Sequence, residues 1–256
     1  MILRLFIISI FCFQGCSSFN DKNKTYSERF QLGVTFFENK KYQKAKEFFE
    51  DIVQHEQGTN LGLESTFYLA KTLFELKEFD EASYNFNYYS MFSKDIVNVE
   101  YSQFMKSKCA FEVTLPYNKD QSSTFYAISI IQEFLDNFPY SSYKDNAYNM
   151  ILKLRNRLGR KNFESGRLYL KMKRYDSALY YFDIIISEYY DTKFYDDALN
   201  YYIFSYIVMG EYEKAKLYYE DVKSNYKNNL KKIEAEQILI DYKNRLGLSG
   251  LYKLYK

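Results

Sequence analysis

Four segments of this chain repeat one pattern, and that repetition constrains the fold more tightly than any other feature. They are KKYQKAKEFFEDI (residues 40–52), KEFDEASYNFNYY (77–89), KRYDSALYYFDII (173–185) and GEYEKAKLYYEDV (210–222). Each has an aromatic residue, an alanine three positions on, an aromatic four beyond that, and an apolar or aromatic residue three further along. The residues are Tyr42, Ala45, Phe49, Ile52; Phe79, Ala82, Phe86, Tyr89; Tyr175, Ala178, Phe182, Ile185; and Tyr212, Ala215, Tyr219, Val222. Steps of three and four place each set on one face of a helix. A second helical segment precedes each block and carries a small residue where two helices must approach: Gly33 with Phe36, Ala70 with Leu73, and Gly166 with Tyr169. The last copy keeps Tyr206 but has Ile203 at the small position. Short polar turns at 38–41, 75–78 and 171–174 set the paired helices antiparallel.

Composition agrees with a helical chain. In 256 residues there are 9 Gly and 2 Pro, whereas an all-β chain needs a turn signal every ~8–12 residues. A hydrophobic share of 47%, with 29 Tyr and 23 Phe but no Trp, is enough to bury a large core and excludes a disordered or collagen-like chain. Lys and Arg total 35 against 33 Asp and Glu, a net charge of +2 without long blocks of one sign, so nucleic acid is not an expected partner.

The pattern resembles the tetratricopeptide repeat, and this resemblance implies an all-α fold: a right-handed α-α superhelix of about five helix pairs with a C-terminal capping helix. A diverged copy fits the middle of the chain, with Thr124, Ala127, Ile131, Phe134 and Pro139 at the expected intervals. Its first helix is expected at about 98–113, followed by the loop at 115–121, and residues 231–246 supply the cap. Repeats of this kind present a concave groove, lined by the first helix of each pair, that commonly holds a peptide.

The N-terminus adds a second constraint. Residues 1–13, MILRLFIISIFCF, form an apolar run too short for a ~20-residue bilayer span and read as a signal peptide. The run ends at Gln14-Gly15-Cys16, a small residue directly before a cysteine, which resembles a bacterial lipoprotein signal. Phe13 and Gln14 stand where that signal usually has Leu and a small residue. The resemblance implies cleavage before Cys16 and acylation of its thiol and new amino terminus; an ordinary cleaved signal or a buried N-terminal helix is the alternative. Cys12 falls in the discarded run, and Cys109, at helical spacing from apolar neighbours, is expected to be a buried small hydrophobe rather than a reactive thiol.

Residues 120–199 carry a more specific likeness. Asp120-Gln121, Thr124, Ala127-Ile128, Phe134, Phe138-Pro139-Tyr140-Ser141, Tyr143, Ala147, Leu154-Arg155, Arg157-Leu158, Tyr169, Tyr190-Asp191-Thr192 and Asp197-Ala198-Leu199 resemble in order and spacing the BamD (YfiO) family of outer-membrane assembly lipoproteins. Tyr190 replaces the Pro of one family turn and Phe138 the Tyr of another. The resemblance implies a non-enzymatic lipoprotein, anchored in the outer membrane on its periplasmic face, in the machinery that folds and inserts β-barrel proteins. Its implied partners are a BamA-like barrel protein with POTRA domains, unfolded outer-membrane proteins, and further assembly lipoproteins; no cofactor is implied. The alternative is another repeat-built envelope lipoprotein, such as a cell-division or peptidoglycan-associated coordinator.

These readings divide the chain into a signal peptide (1–15), a lipidated tether (16–26), an N-terminal substrate half (27–114), a C-terminal docking half (115–246) and a tail (247–256). Repeat register assigns Phe30, Val34, Phe37, Phe67, Lys71 and Phe74 to the groove. Lys71 is the distinctive member, a cation on an apolar face that suits a substrate's terminal carboxylate. Tyr180, Tyr181, Asp183, Tyr218 and Tyr219 are candidates for exposed partner contacts.

Catalytic chemistry finds no support in the residues. The sole histidine, His55, lies at a helix end beside Glu56, with no HExxH, CxxC or Gly-rich phosphate loop anywhere. The pairs Asp80-Glu81 and Asp196-Asp197 are expected at helix N-termini, where the macrodipole accounts for them.

Overall fold

A computed structural model describes residues 24–244; the signal run, Cys12, Cys16 and the tail lie outside the described residues. Among those described there are eleven helices and no strands: α1 (Tyr26–Glu38), α2 (Tyr42–His55), α3 (Asn60–Glu75), α4 (Phe79–Phe92), α5 (Ile96–Glu112), α6 (Ser122–Asn137), α7 (Lys144–Lys171), α8 (Tyr175–Glu188), α9 (Tyr195–Val208), α10 (Tyr212–Val222) and α11 (Asn229–Lys243). The four repeat blocks are α2, α4, α8 and α10. The middle copy is α5 with α6, and the terminal helix is α11.

The repeat residues are core. Ala45, Phe49, Ile52, Ala82, Phe86, Ala178, Phe182, Ile185 and Ala215 are fully buried, with Tyr89, Tyr219 and Val222 nearly so. Each buried large side chain contributes roughly 1.5–3 kcal/mol of apolar transfer, which no helix pair could gain alone. The small position has a direct steric cause. A Cβ at Gly33 would lie 2.8 Å from the Phe49 ring, and one at Gly166 would lie 2.5 Å from the Phe182 ring. Pairing is antiparallel, since Phe37 meets Tyr42 beside the turn while Tyr26 meets His55 at the far end. α1 begins at a capping box in which Thr25 Oγ1 accepts from the Glu28 amide and Glu28 Oε2 accepts from the Thr25 amide.

The turns inside the pairs share one unusual backbone conformation. Lys40, Lys77 and Lys173 have φ of 58°, 64° and 59°, and Gly210 takes the same place at 81°. Each is the left-handed residue of a Schellman motif; for example, the Lys77 amide donates to Phe74 O and the Glu78 amide to Leu73 O. A left-handed L-residue costs ~1–2 kcal/mol, partly offset by the entropy that glycine loses on folding. Lys77→Gly is therefore expected to stabilise the protein by about 0.5–1 kcal/mol, read as a higher urea midpoint at constant m.

Two compact units divide inside α5, the first ending at Ser102 and the second beginning at Gln103. The expected boundary followed residue 114; the structure moves it because Phe104 packs on Phe134 and Ser107 Oγ donates to Ile130 O, committing the C-terminal part of α5 to α6. In the first unit α1 to α4 stack in order, with Tyr101 of α5 against Phe67 and Phe86. In the second, α7 is a single 28-residue helix whose first half packs on α6 and whose second half pairs with α8. α11 covers α9 and α10, burying Ala235, Ile238 and Leu239.

Asp196 and Asp197 sit in the first turn of α9, as expected, but they do more than face its dipole. The buried Asp196 carboxylate accepts from the Lys227 and Asn228 amides at 3.1 and 2.7 Å, and Asp197 pairs with Lys231 at 2.9 Å, fastening the start of α11. Cys109 is buried. His55 is half exposed, with Nδ1 2.8 Å from Asp51 O and its ring stacked on Tyr26. No helix among the described residues is long and apolar enough to cross a membrane, and none of their His, Cys, Asp and Glu side chains form a group of three fit to hold a metal.

Candidate functional site

Helices α1 and α3, the first members of their pairs, build an aromatic face around one cation. Lys71 Nζ lies 4.7 Å from the centre of the Tyr68 ring, 5.0 Å from Phe37 and 5.4 Å from Phe67. No carboxylate among the described residues reaches ion-pairing distance of it. Burial pushes the Lys71 ammonium's pKa down, and Glu38, acting from beyond contact distance, only partly opposes that. The lysine is half-buried, so its charge is held by ring faces and leaves donors free for an anionic group.

The six residues expected along the groove do not behave alike. Phe30 and Phe67 are buried: Phe30 packs on Phe49 and Tyr68, and Phe67 packs on Tyr89, Phe86 and Tyr101. Their exposure is corrected, because in a stack each first helix is covered from both sides and these rings point into the neighbouring helices. Val34, Phe37, Lys71 and Phe74 keep partial exposure. Tyr68 is the residue that register missed. It touches Phe30, Phe37 and Phe49 and forms the nearest wall of the Lys71 cage. Its spacing of three from Lys71 on one helix was the available signal.

In the second unit the five candidate contacts also separate. Tyr180 is 63% exposed and Asp183 is exposed, while Tyr181 stacks on Tyr169 at 5.3 Å. Tyr219 is buried and donates to Glu236, and Tyr218 stacks on Tyr202 at 4.4 Å. Burial pushes the Tyr218 and Tyr219 hydroxyls well up, and that of Tyr202 up to about 12. The expected exposure of Tyr218 and Tyr219 is thus corrected: Tyr219 is the core aromatic of its repeat, and Tyr218 pairs across the helix hairpin as Tyr181 does.

The residues of the 154–158 and 190–192 motifs turn out to be fasteners. Arg155 donates from Nε and Nη2 to the two Asp191 carboxylate oxygens at 2.7 and 2.6 Å, and from Nη2 to Glu188 O at 2.6 Å. Thr192 Oγ1 donates to Tyr189 O, and Gly159 leaves room for the Thr192 side chain, which a Cβ there would meet at 3.1 Å. Arg157 donates to Thr114 Oγ1 and Leu115 O, holding the loop after α5. Burial alone would raise the Asp191 carboxyl, but the hydrogen bonds and charge of Arg155 hold it below the usual carboxylate range. The sign follows: stability from this pair is complete above the unfolded pKa of about 3.9 and is lost as pH falls through the lowered folded value. Arg155→Met should therefore flatten the acid limb of a stability–pH profile by no more than about 1 kcal/mol, since Asp191 remains partly solvated.

Antiparallel helix pairs with a repeated small-aromatic contact define an all-helical repeat protein of the tetratricopeptide type. The family described as YfiO, outer membrane lipoprotein, matches residues 22–222, and the chain belongs to that family. It is 26% identical over 233 residues to the outer membrane protein assembly factor BamD of Rickettsia prowazekii (strain Madrid E), covering 90% of this chain and 93% of that protein. The same-named factor of Caulobacter vibrioides is 27% identical over 119 residues, 46% of this chain and 39% of that one. Among solved structures, a thermophilic repeat protein of Thermus thermophilus is 14% identical, covering 84% of this chain and 100% of that chain at a TM-score of 0.34.

Proposed function

We propose that this chain is a non-enzymatic subunit of the machinery that assembles β-barrel proteins into the outer membrane, lipid-anchored through Cys16 on the periplasmic face. The observation that carries the reading is the family match across residues 22–222, joined to near end-to-end similarity with a relative named as an outer membrane protein assembly factor. The first unit receives unfolded barrel proteins, whose terminal strands alternate aromatic and polar side chains. Phe37, Tyr68 and Phe74 offer ring surface that tolerates many sequences, and Lys71 takes the strand's terminal carboxylate. Tyr180 and Asp183 of the second unit present exposed groups to a BamA-like protein with POTRA domains.

A pull-down from detergent-solubilised membranes tests the reading. Co-purification of a POTRA-containing barrel protein is expected. Its absence, together with unchanged barrel-protein levels on depletion, would instead favour a cell-division or peptidoglycan-associated scaffold.

A further inference from the structure

Helix direction alternates through the first unit, so the N-termini of α1, α3 and α5 and the C-termini of α2 and α4 share one edge. Tyr26 stacked on His55 marks it, with the start of α1 against the end of α2. The link from α4 to α5 also lies on this edge, and there Met91, Phe92, Ile96 and Val97 stand between 57% and 76% exposed. Tyr88 contacts Phe92 at 4.7 Å and extends the apolar strip toward a cleft of ≈ 590 Å³ between α4 and the α2–α3 turn.

Lys94 and Asp95 stand side by side within the strip, and their surroundings differ. The Asp95 carboxylate is engaged by the Val97 and Asn98 amides at 3.1 and 3.2 Å and by Asn98 Nδ2 at 2.7 Å. Lys94 beside it is exposed and makes no ion pair among the described residues. Rings and aliphatic side chains around a lysine are the composition of a membrane–water boundary.

Chain length says which surface covers the strip. Eight residues lie between Cys16 and Thr25, the cap of α1 on this same edge, so the reach is at most ~32 Å. A contact too weak to hold a free protein is favoured once a short tether raises its effective concentration. We infer that this edge of the first unit lies on the lipid surface beside the anchor. Met91, Phe92, Ile96 and Val97 seat at the boundary of headgroups and acyl chains, and Lys94 meets the phosphates. The inference rests on the reading of Cys16 as the lipid site and adds a second, non-covalent membrane contact that sets how the domain faces the bilayer.

The chain contains no tryptophan, so Phe92→Trp introduces a single reporter. The lipidated full-length variant is reconstituted into phosphatidylethanolamine–phosphatidylglycerol vesicles with lipid brominated in the upper acyl chain. Its fluorescence should fall about twofold, because an interfacial face seats ~5–10 Å into the boundary. Leu76→Trp, at the opposite ends of the helices, should stay unquenched. Adding Met91→Glu and Ile96→Glu to Phe92→Trp should abolish quenching while flotation and circular dichroism persist. Equal quenching of the two reporters, or quenching that survives both glutamates, overturns the inference. If Phe92→Trp floats with vesicles but is not quenched, the contact fails and the anchor stands. If Cys16→Ser leaves flotation intact, the anchor fails and takes this inference with it.

Discussion

Replacing Gly62 by alanine is expected to destabilise the protein by about 3 kcal/mol, the upper end of ordinary overpacking. Gly62 lies in the first turn of α3, where its amide donates to the capping hydroxyl of Thr59 at 3.0 Å. A Cβ there would lie 2.0 Å from the carbonyl oxygen of Glu56, a backbone atom at the end of α2. That oxygen cannot swing aside, since it accepts from the Thr59 amide at 3.2 Å and from Thr59 Oγ1 at 2.9 Å. The added methyl must therefore break the cap or move α2 against α3, and α2–α3 is one of the largest contacts in the unit. Gly58 offers the comparison. It has φ of 77° and open space around its Cβ position, so its alanine variant should cost only the ~1–2 kcal/mol of left-handed strain. Urea unfolding followed by circular dichroism checks both. Gly62→Ala within about 0.5 kcal/mol of the parent would show that the turn yields and the contact is not decisive.

Lys71→Glu should reduce binding of an extended, aromatic-alternating peptide with a free terminal carboxylate by about 100-fold or more. Truncating one partner of a desolvated charge pair costs ~2–5 kcal/mol, and reversal adds repulsion from Glu38 and from the negative ring faces of Phe37, Phe67 and Tyr68. Lys71→Met separates the charge from the packing, because the methionine retains an apolar stem between the rings. If Lys71 pairs with the carboxylate, amidating the peptide should weaken binding to the parent but leave binding to Lys71→Met unchanged. Additive losses from amidation and Lys71→Met would sink the pairing. Circular dichroism of each variant guards against reading a folding defect as a binding one.

The core was legible because it is periodic. Ala45, Phe49 and Ile52, and their counterparts in α8, needed only their spacing to be placed together, and Gly33 and Gly166 marked the close approach. The turns were half legible. Gly210 signals a left-handed residue, but Lys40, Lys77 and Lys173 occupy the same conformation with no residue-type cue, each held by the paired backbone hydrogen bonds of its Schellman motif. The candidate binding faces were least legible. Phe67 and Tyr68 are neighbours in sequence, one turned toward α4 and α5 and the other toward α1 and α2, a difference of about 100° on the helix. Tyr218 and Tyr219 differ in the same way between a hairpin stack and the core.

By itself, then, the sequence determined the helix pairs, their order and the family, since these follow from local spacing repeated along the chain. Only the tertiary structure decided that Lys71 sits within three rings, that Arg155 grips an aspartate 36 residues away, and that the apolar residues from Met91 to Val97 stay uncovered. Helical periodicity is written within a few residues, whereas exposure depends on which side chains the next helix pair brings alongside.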